Sequence, residues 1–394
     1  MTRTERIANS IVYAILFDSG DKLPSSTSLL SRLLALLTAF FTLFQLNLSR
    51  VRSDLFSTLR TTSWSLPSDT YLSSFEGSPS DVLTSTADMG FSGSTFFTTR
   101  DSKYIIKSVP RHFEHAFFRD ELLLPYAEHM RRYPGSLLVR ITDFLAVRRA
   151  SLGGWLGAAP THHIVMANLL TGREEAESGE QADAEGGRTG KTGKWETYDL
   201  KPPSYFVPER DIAGGALTSE ATKARLTDSF DGKLTLRKQE AEALVRQLHR
   251  DTDVLREANA VDYSLFLVRI PLLEPKSDGD GAAVAAERTD VNATDTEPPP
   301  PPHGPPFTPP SPPSWLTGVP SADGKYVYRM CVLDFFWGRH KPHAKLMGLL
   351  IAAWNLVDRK AGPMSITTTA EDYKERFMEM CEGLVEVEEG YGGG

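Results

Sequence analysis

Gly90-Phe91-Ser92-Gly93-Ser94-Thr95-Phe96-Phe97-Thr98-Thr99-Arg100-Asp101-Ser102-Lys103-Tyr104-Ile105-Ile106-Lys107-Ser108 is the stretch on which the fold of this chain turns. Thr95–Thr99 and Tyr104–Val109 are rich in β-branched and aromatic residues, and Arg100-Asp101-Ser102 between them has turn chemistry, so two β-strands joined by a short turn are predicted. Glycines ahead of the first strand let backbone N–H groups approach phosphate oxygens with no Cβ in the way. Lys107 is then a lone charge in an apolar strand, placed to clamp the α- and β-phosphates of a nucleotide. A small Gly/Ser turn alone reads as a hairpin. With the lysine at this distance, kinase geometry is the better reading.

Outward from this stretch the periodicities alternate. His112 to Met130 carries apolar residues at helical spacing, and Leu137–Leu145, His163–Leu169 and Trp195–Leu200 have strand character. Leu236 to Ala258 is an amphipathic helix with Ala241, Leu244, Val245, Leu248 and Leu255 on one face. Tyr263–Ile270 and Tyr326–Asp334 are further strands. Thr369-Ala370-Glu371-Asp372 has the form of a capping box, opening a helix that buries Tyr373, Phe377, Cys381 and Leu384. Strands first, then strands mixed with helices, indicate an α+β fold.

Two acids stand at strand junctions. Asp334 ends the apolar run Tyr328–Leu333, where a carboxylate can hold magnesium through hard oxygen ligands; a turn-capping aspartate is the plainer alternative. Asp262, in Val261-Asp262-Tyr263-Ser264-Leu265, can orient a hydroxyl nucleophile or help hold metal. His249-Arg250-Asp251 matches a kinase catalytic-loop triplet, but it falls inside the amphipathic helix and Arg256 stands where an asparagine is required. It reads as a solvated helix face.

In this order the motifs resemble those of the phosphatidylinositol phosphate kinases, over residues 50–390. Phe56-Ser57-Thr58-Leu59-Arg60 with Tyr71 and Ser73 is similar to the family's opening segment. Gly90–Ser94, Phe96, Phe97 and Tyr104-Ile105-Ile106-Lys107 resemble its glycine-rich loop and nucleotide lysine. Trp195 to Lys201 resembles its Tyr-Asp-Leu-Lys strand, and Arg250-Asp251 with Leu255, then Val261–Leu265, its long helix and Met-Asp-Tyr-Ser-Leu junction. Val332-Leu333-Asp334 is similar to its Ile-Ile-Asp metal motif, and Tyr373–Phe377 to its last helix.

The resemblance implies a two-lobed lipid-kinase-like fold of antiparallel sheets and flanking helices, related to SAICAR synthase. It divides the chain into a helical segment at 1–52 and a catalytic domain at 53–390, interrupted by loops at 171–194 and 275–315. It implies an ATP-dependent phosphotransferase of the 5-kinase type acting on a phosphatidylinositol phosphate, with Mg2+. Gly90, Ser92, Gly93, Ser94, Lys107 and Lys201 would bind nucleotide, Asp334 would hold the metal, and Asp262 with Lys107 would carry catalysis. Glu114, on the helix after Lys107, is the implied partner of that lysine. Arg339, Lys341 and Lys345 occupy the family's lipid-facing activation segment. Pro202-Pro203 replace the usual Gly-Ser after Lys201, removing a backbone donor. A weakly active phosphoinositide- or nucleotide-binding scaffold, or a kinase of a soluble inositol phosphate, are the alternatives.

Composition sets the outer bounds. The formal net charge is −8, of which −2 falls in residues 173–194 and −4 in 275–300, so the remainder is nearly neutral. No basic footprint for nucleic acid is present, while a local basic face at Arg339–Lys345 is compatible with an anionic membrane. The two low-charge-balance stretches are also low in complexity and are expected to be disordered loops. The second contains Glu297-Pro298-Pro299-Pro300-Pro301-Pro302, a polyproline run suited to spacing or to a partner protein. Leu33–Leu46 is apolar but only 14 residues long, against about 20 for a spanning helix, so a docking helix or interfacial contact is expected. Cys331 and Cys381 are too few for a disulfide framework, and no signal-peptide pattern opens the chain. A cytoplasmic, peripherally membrane-associated protein is expected.

Overall fold

Thr2 and Glu5 form a capping box that opens helix α1 (Arg3–Leu16), with Ile7, Ile11 and Ile15 buried along one face. The computed structural model describes residues 2–17, 44, 46–86, 94–148, 159–174, 176, 194–202, 230–272, 314–338 and 369–388. After α1 follow strand β1 (Leu48–Arg50), helix α2 (Ser53–Thr58) with a π turn over Leu59–Ser63, helices α3 (Ser68–Ser73) and α4 (Pro79–Val82), and strand β2 (Leu83–Thr86). Strands β3 (Phe96–Thr99) and β4 (Tyr104–Ser108) form the predicted hairpin, with Ser102 taking the left-handed turn position. Helix α5 (His112–Phe117), a π turn over Phe118–Leu122, and helix α6 (Leu123–Arg132) run on where one helix was predicted. Strands β5 (Ile141–Val147) and β6 (His162–Ala167) complete an antiparallel six-stranded sheet in the order β1-β5-β6-β4-β3-β2.

The second half is built on strand β7 (Glu196–Leu200), β8 (Leu234–Arg237), helix α7 (Lys238–Glu257), and strands β9 (Ala260–Val261), β10 (Ser264–Pro271), β11 (Val319–Pro320), β12 (Tyr326–Leu333) and β13 (Trp337–Gly338). Helix α8 (Ala370–Leu384), opened by the predicted Thr369–Asp372 box, and strand β14 (Val385–Glu388) end the described chain. The larger sheet here has the order β11-β12-β10-β7 and is antiparallel; β9 pairs antiparallel with β13, and β8 pairs parallel with β14. The fold is α+β.

Strand alternation explains how the layers stack. Phe144 and Ile164 face a large core shared with α5, α6, α7, α8 and the second sheet, while Leu145 and Val165 face a smaller core under α1 and α3. The expected boundary at 52/53 therefore falls within packed structure, because β1 pairs with β5 and α1 covers the same sheet. A buried charge network reinforces this join. Asp143, fully buried, accepts from Arg50 Nε at 3.1 Å and Tyr71 Oη at 2.8 Å, with Arg60 Nη1 at 3.3 Å. Burial pushes the Asp143 carboxyl up, and Arg50 and Arg60 pull it back. The opening-segment residues Arg60 and Tyr71 thus hold the sheet together.

Other expectations shift. Residues 137–139 do not extend β5; Leu138 bridges in parallel to Val332, because their backbone groups find partners on β12 instead of β6. The loop expected from 171 begins with order: Thr171 Oγ1 donates to Ser102 O at 3.0 Å, and Arg329 Nη1 donates to Thr171 O at 2.8 Å. At the far end of the 275–315 loop, Trp315 accepts a bond from Met330 N at 2.7 Å and packs on the core. Most of Leu33–Leu46 lies outside the described residues, as does the polyproline run. No helix among the described residues is long and apolar enough to cross a membrane. Cys331 and Cys381 are both free and buried.

Candidate functional site

Two short ladders bracket Asp262 and Asp334. Asp262 follows β9 and precedes β10; Asp334 follows β12 and precedes β13. Because β10 pairs with β12 (Ser264 opposite Leu333) and β9 with β13 (Val261 opposite Trp337), the two aspartates are drawn side by side. Both adopt left-handed backbone, φ +65° at Asp262 and +62° at Asp334. Aspartate tolerates this region better than most residues, and such conformations gather at functional sites.

Each aspartate meets a lysine from another strand. Lys107, on β4, is largely buried and its ammonium pairs with Asp334 Oδ1, with the Phe96 ring 5.7 Å from Nζ. Lys201, directly after β7, donates to Asp262 Oδ1 at 2.5 Å and to Asp262 O at 2.9 Å. Burial works against the charged form of Lys201, yet Asp262 and Asp334 outweigh it and hold the ammonium above the ordinary lysine range. The site therefore alternates charges from three sheets, with the carboxylate of Asp334 still 40% exposed.

Two further acids complete the electrostatics. Burial pushes the Glu114 carboxyl up to about 7, partly countered by Arg111 and Lys107. Its ion pair is with Arg111 Nη1 at 3.4 Å, while Lys107 pairs with Asp334; the expected Lys107–Glu114 pair is replaced by this arrangement. Asp199, on β7 opposite Phe266, is also raised by burial, with Asp334 adding to the effect and Lys201 and Lys107 opposing it. Asp199 lies within the Trp195–Lys201 motif, and the sequence reading assigns it no role. Its signal was an acid two residues from Lys201, hence on the same strand face.

Packing fixes the Asp334 side. Asp251 is fully buried, not part of a solvated face: it accepts from Ser136 Oγ at 2.7 Å, Leu137 N at 2.7 Å and Gln247 Nε2 at 2.9 Å, and meets His129 Nε2 at 2.6 Å. The helical spacing was right and the face was wrong, since a buried carboxylate with four partners looks like any charge in sequence. Through Leu137 and Leu138 this anchor holds Val332 near the end of β12, two residues before Asp334. Beyond it, Gly338 packs flush on Phe117, whose ring a Cβ would overlap, and Phe113 meets Trp337 edge-on at 4.7 Å.

Of the other predicted site residues, Ser94 is described and buried, beside the Thr95 N to Ser108 Oγ bond at 2.7 Å. Gly90, Ser92, Gly93, Arg339, Lys341 and Lys345 lie outside the described residues. Among the described residues no cluster of three or more His, Cys, Asp or Glu is arranged as a metal cage.

Comparison with known proteins extends this picture. The family model for phosphatidylinositol-4-phosphate 5-kinase matches residues 78–384. The chain is 26% identical over 180 residues to a probable phosphatidylinositol phosphate kinase of Dictyostelium discoideum, covering 45% of this chain and 21% of that protein. It is 27% identical over 178 residues to a phosphatidylinositol 4-phosphate 5-kinase of Plasmodium falciparum, covering 45% of this chain and 9% of that one. A Schizosaccharomyces pombe phosphatidylinositol 4-phosphate 5-kinase is 36% identical over 89 residues, covering 23% of this chain and 11% of its own length. The aligned stretches thus span about a fifth or less of these relatives.

Proposed function

Because the chain belongs to the phosphatidylinositol-4-phosphate 5-kinase family, we propose that it transfers the γ-phosphoryl group of ATP to the inositol ring of a phosphatidylinositol phosphate at a membrane surface. The observation that carries this reading is the crossed pairing of Lys107 with Asp334 and Lys201 with Asp262. Phosphoryl transfer needs cations at the phosphates and a carboxylate at the attacking hydroxyl, with little covalent chemistry from the protein. In this reading Lys107 turns from Asp334 to the nucleotide phosphates, with Ser94 and the preceding glycines as backbone donors. Asp262, held by Lys201, accepts the proton of the ring hydroxyl as it attacks.

The donor set suits magnesium. Asp334 is a hard carboxylate with open surface, and the ion commonly takes one or two carboxylates, leaving its other positions to phosphate and water. Asp334 would hold it, with Asp262 and Asp199 contributing negative field nearby. Bound there, the ion would neutralise charge on the transferring phosphates. Arg339, Lys341 and Lys345 are proposed to meet the anionic bilayer, with the protein peripheral on the cytoplasmic leaflet.

Incubating the protein with labelled ATP, Mg2+ and vesicles bearing a panel of phosphoinositides tests this reading. Label is expected in a phosphatidylinositol phosphate. Tight nucleotide binding without label in any lipid would favour the scaffold reading suggested by Pro202-Pro203. Label in a soluble inositol phosphate alone would move the substrate off the membrane.

A further inference from the structure

Helices α6 and α7 flank an open cleft of about 370 Å3 whose lining includes Glu128, Arg132, Tyr133, Arg250, Asp253 and Glu257, and none of the candidate site residues. The charges in it are unevenly spoken for. Glu128 pairs with Arg131, Asp253 with Lys374 at 2.6 Å and Arg256 at 3.3 Å, and Glu257 with Arg256 at 3.6 Å. Arg132 and Arg250 have no carboxylate partner among the described residues. Instead both stand over one ring: their Cζ atoms lie 5.5 Å and 5.0 Å from the Tyr133 centroid.

That ring is itself held in place. His129 lies 5.1 Å from Tyr133, and its Nε2 is fixed by buried Asp251. Two guanidinium groups from different helices thus stand against one supported aromatic ring at the lining of the cleft. Arg132, in the last turn of α6, would also complement the helix dipole, but Arg250 sits mid-helix in α7 and has no such account. Planar guanidinium forks match phosphate oxygens, and a dianionic phosphate monoester balances both charges where a single carboxylate would leave one uncompensated. The cleft volume is at the small end for ligand sites of roughly 300–1,000 Å3, which suits a small phosphorylated molecule or a headgroup.

We propose that this cleft is a second ligand site, binding a phosphate monoester between Arg132 and Arg250 over Tyr133. The test follows the arginine Nε–Hε resonances of the full chain, assigned through Arg132→Gln and Arg250→Gln. Probes at constant ionic strength are inorganic phosphate, inositol 1,4,5-trisphosphate and vesicles containing phosphatidylinositol 4-phosphate, with sodium chloride as control. The two resonances are expected to shift together with one dissociation constant, and either substitution to weaken binding about tenfold or more. Arg119→Gln, which removes an exposed arginine paired with Asp120 outside the cleft lining, should leave it unchanged. A response to the soluble probes assigns a free phosphorylated ligand, and a response to vesicles alone assigns a lipid headgroup. Silence of both resonances to every probe, or an unchanged dissociation constant in the double variant, overturns the proposal. Both arginines are exposed, so the fold should survive their replacement, and an unchanged melting temperature verifies it.

Discussion

Lys107 and Asp334 form an ion pair across 227 positions of sequence, joining the hairpin strand of one sheet to the end of a strand in the other. A largely buried ammonium needs a partner, and a phosphate group can take the place of this carboxylate. Lys107→Met should therefore weaken ATP binding about tenfold or more by calorimetry while keeping the far-UV spectrum. The freed Asp334 carboxylate is 40% exposed and can be solvated, so folding should not suffer. Parental affinity in the variant would remove Lys107 from the nucleotide site.

Asp334→Asn separates charge from backbone. Asparagine also tolerates the left-handed conformation at this position, so the backbone should hold, while largely buried Lys107 loses its counter-charge at a cost of about 1–3 kcal/mol. Turnover with Mg·ATP should drop by a factor on the order of a hundred or more, while metal-free nucleotide binding persists. Normal turnover would leave Asp334 as a turn residue.

The Asp143 network makes a stability prediction away from the site. Asp143→Ala would leave Arg50, Arg60 and the Tyr71 hydroxyl without their shared acceptor in a dry core. The expected loss is about 3–5 kcal/mol in denaturant unfolding, the range for breaking a buried ion pair. A loss under about 1 kcal/mol would show that the network is not what ties β1 and α3 to β5.

Glu114 links stability to pH. Its carboxyl is raised from 4.5 to about 7, so between these values the folded protein keeps a proton that the unfolded chain releases. The stabilising effect of that neutral form is present below pH 4.5 and is lost as pH rises through 7. Glu114→Gln should flatten this decline, gaining on the parent as pH goes from 4.5 to 7. Parallel stability curves for the two proteins would place Glu114 in a wetter setting.

Arg339, Lys341 and Lys345 are proposed to dock on lipid. Replacing all three with glutamine should lower vesicle activity about a hundredfold at low salt, at on the order of 1 kcal/mol per basic residue near an anionic bilayer. The deficit should shrink as salt screens the parent, and ATP affinity should hold. Equal vesicle activity of parent and variant at low salt would end this proposal.

Local signals were read well from sequence. The Thr369–Asp372 box, the Arg100–Ser102 turn and the 3.6-residue stripe of α7 each depend on neighbours within a few positions. Asp251 was misread for the same reason: its partners Ser136 and His129 lie more than a hundred positions away, and nothing local marks a charge as buried. Residues 137–139 look like a continuation of β5, since an extended apolar run does not say which strand it will pair with.

By itself, then, the sequence determined the α+β class, most of the elements, and the candidates Lys107, Lys201, Asp262 and Asp334, because propensity, capping and periodicity are short-range properties. Only the tertiary structure decided who meets whom. Lys107 took Asp334 and not Glu114, Lys201 took Asp262, and Asp199 entered the field, because strand register sets which side chains share a few ångströms. Coulomb interactions and desolvation depend on those distances and on burial, and neither is written in the order of residues along the chain.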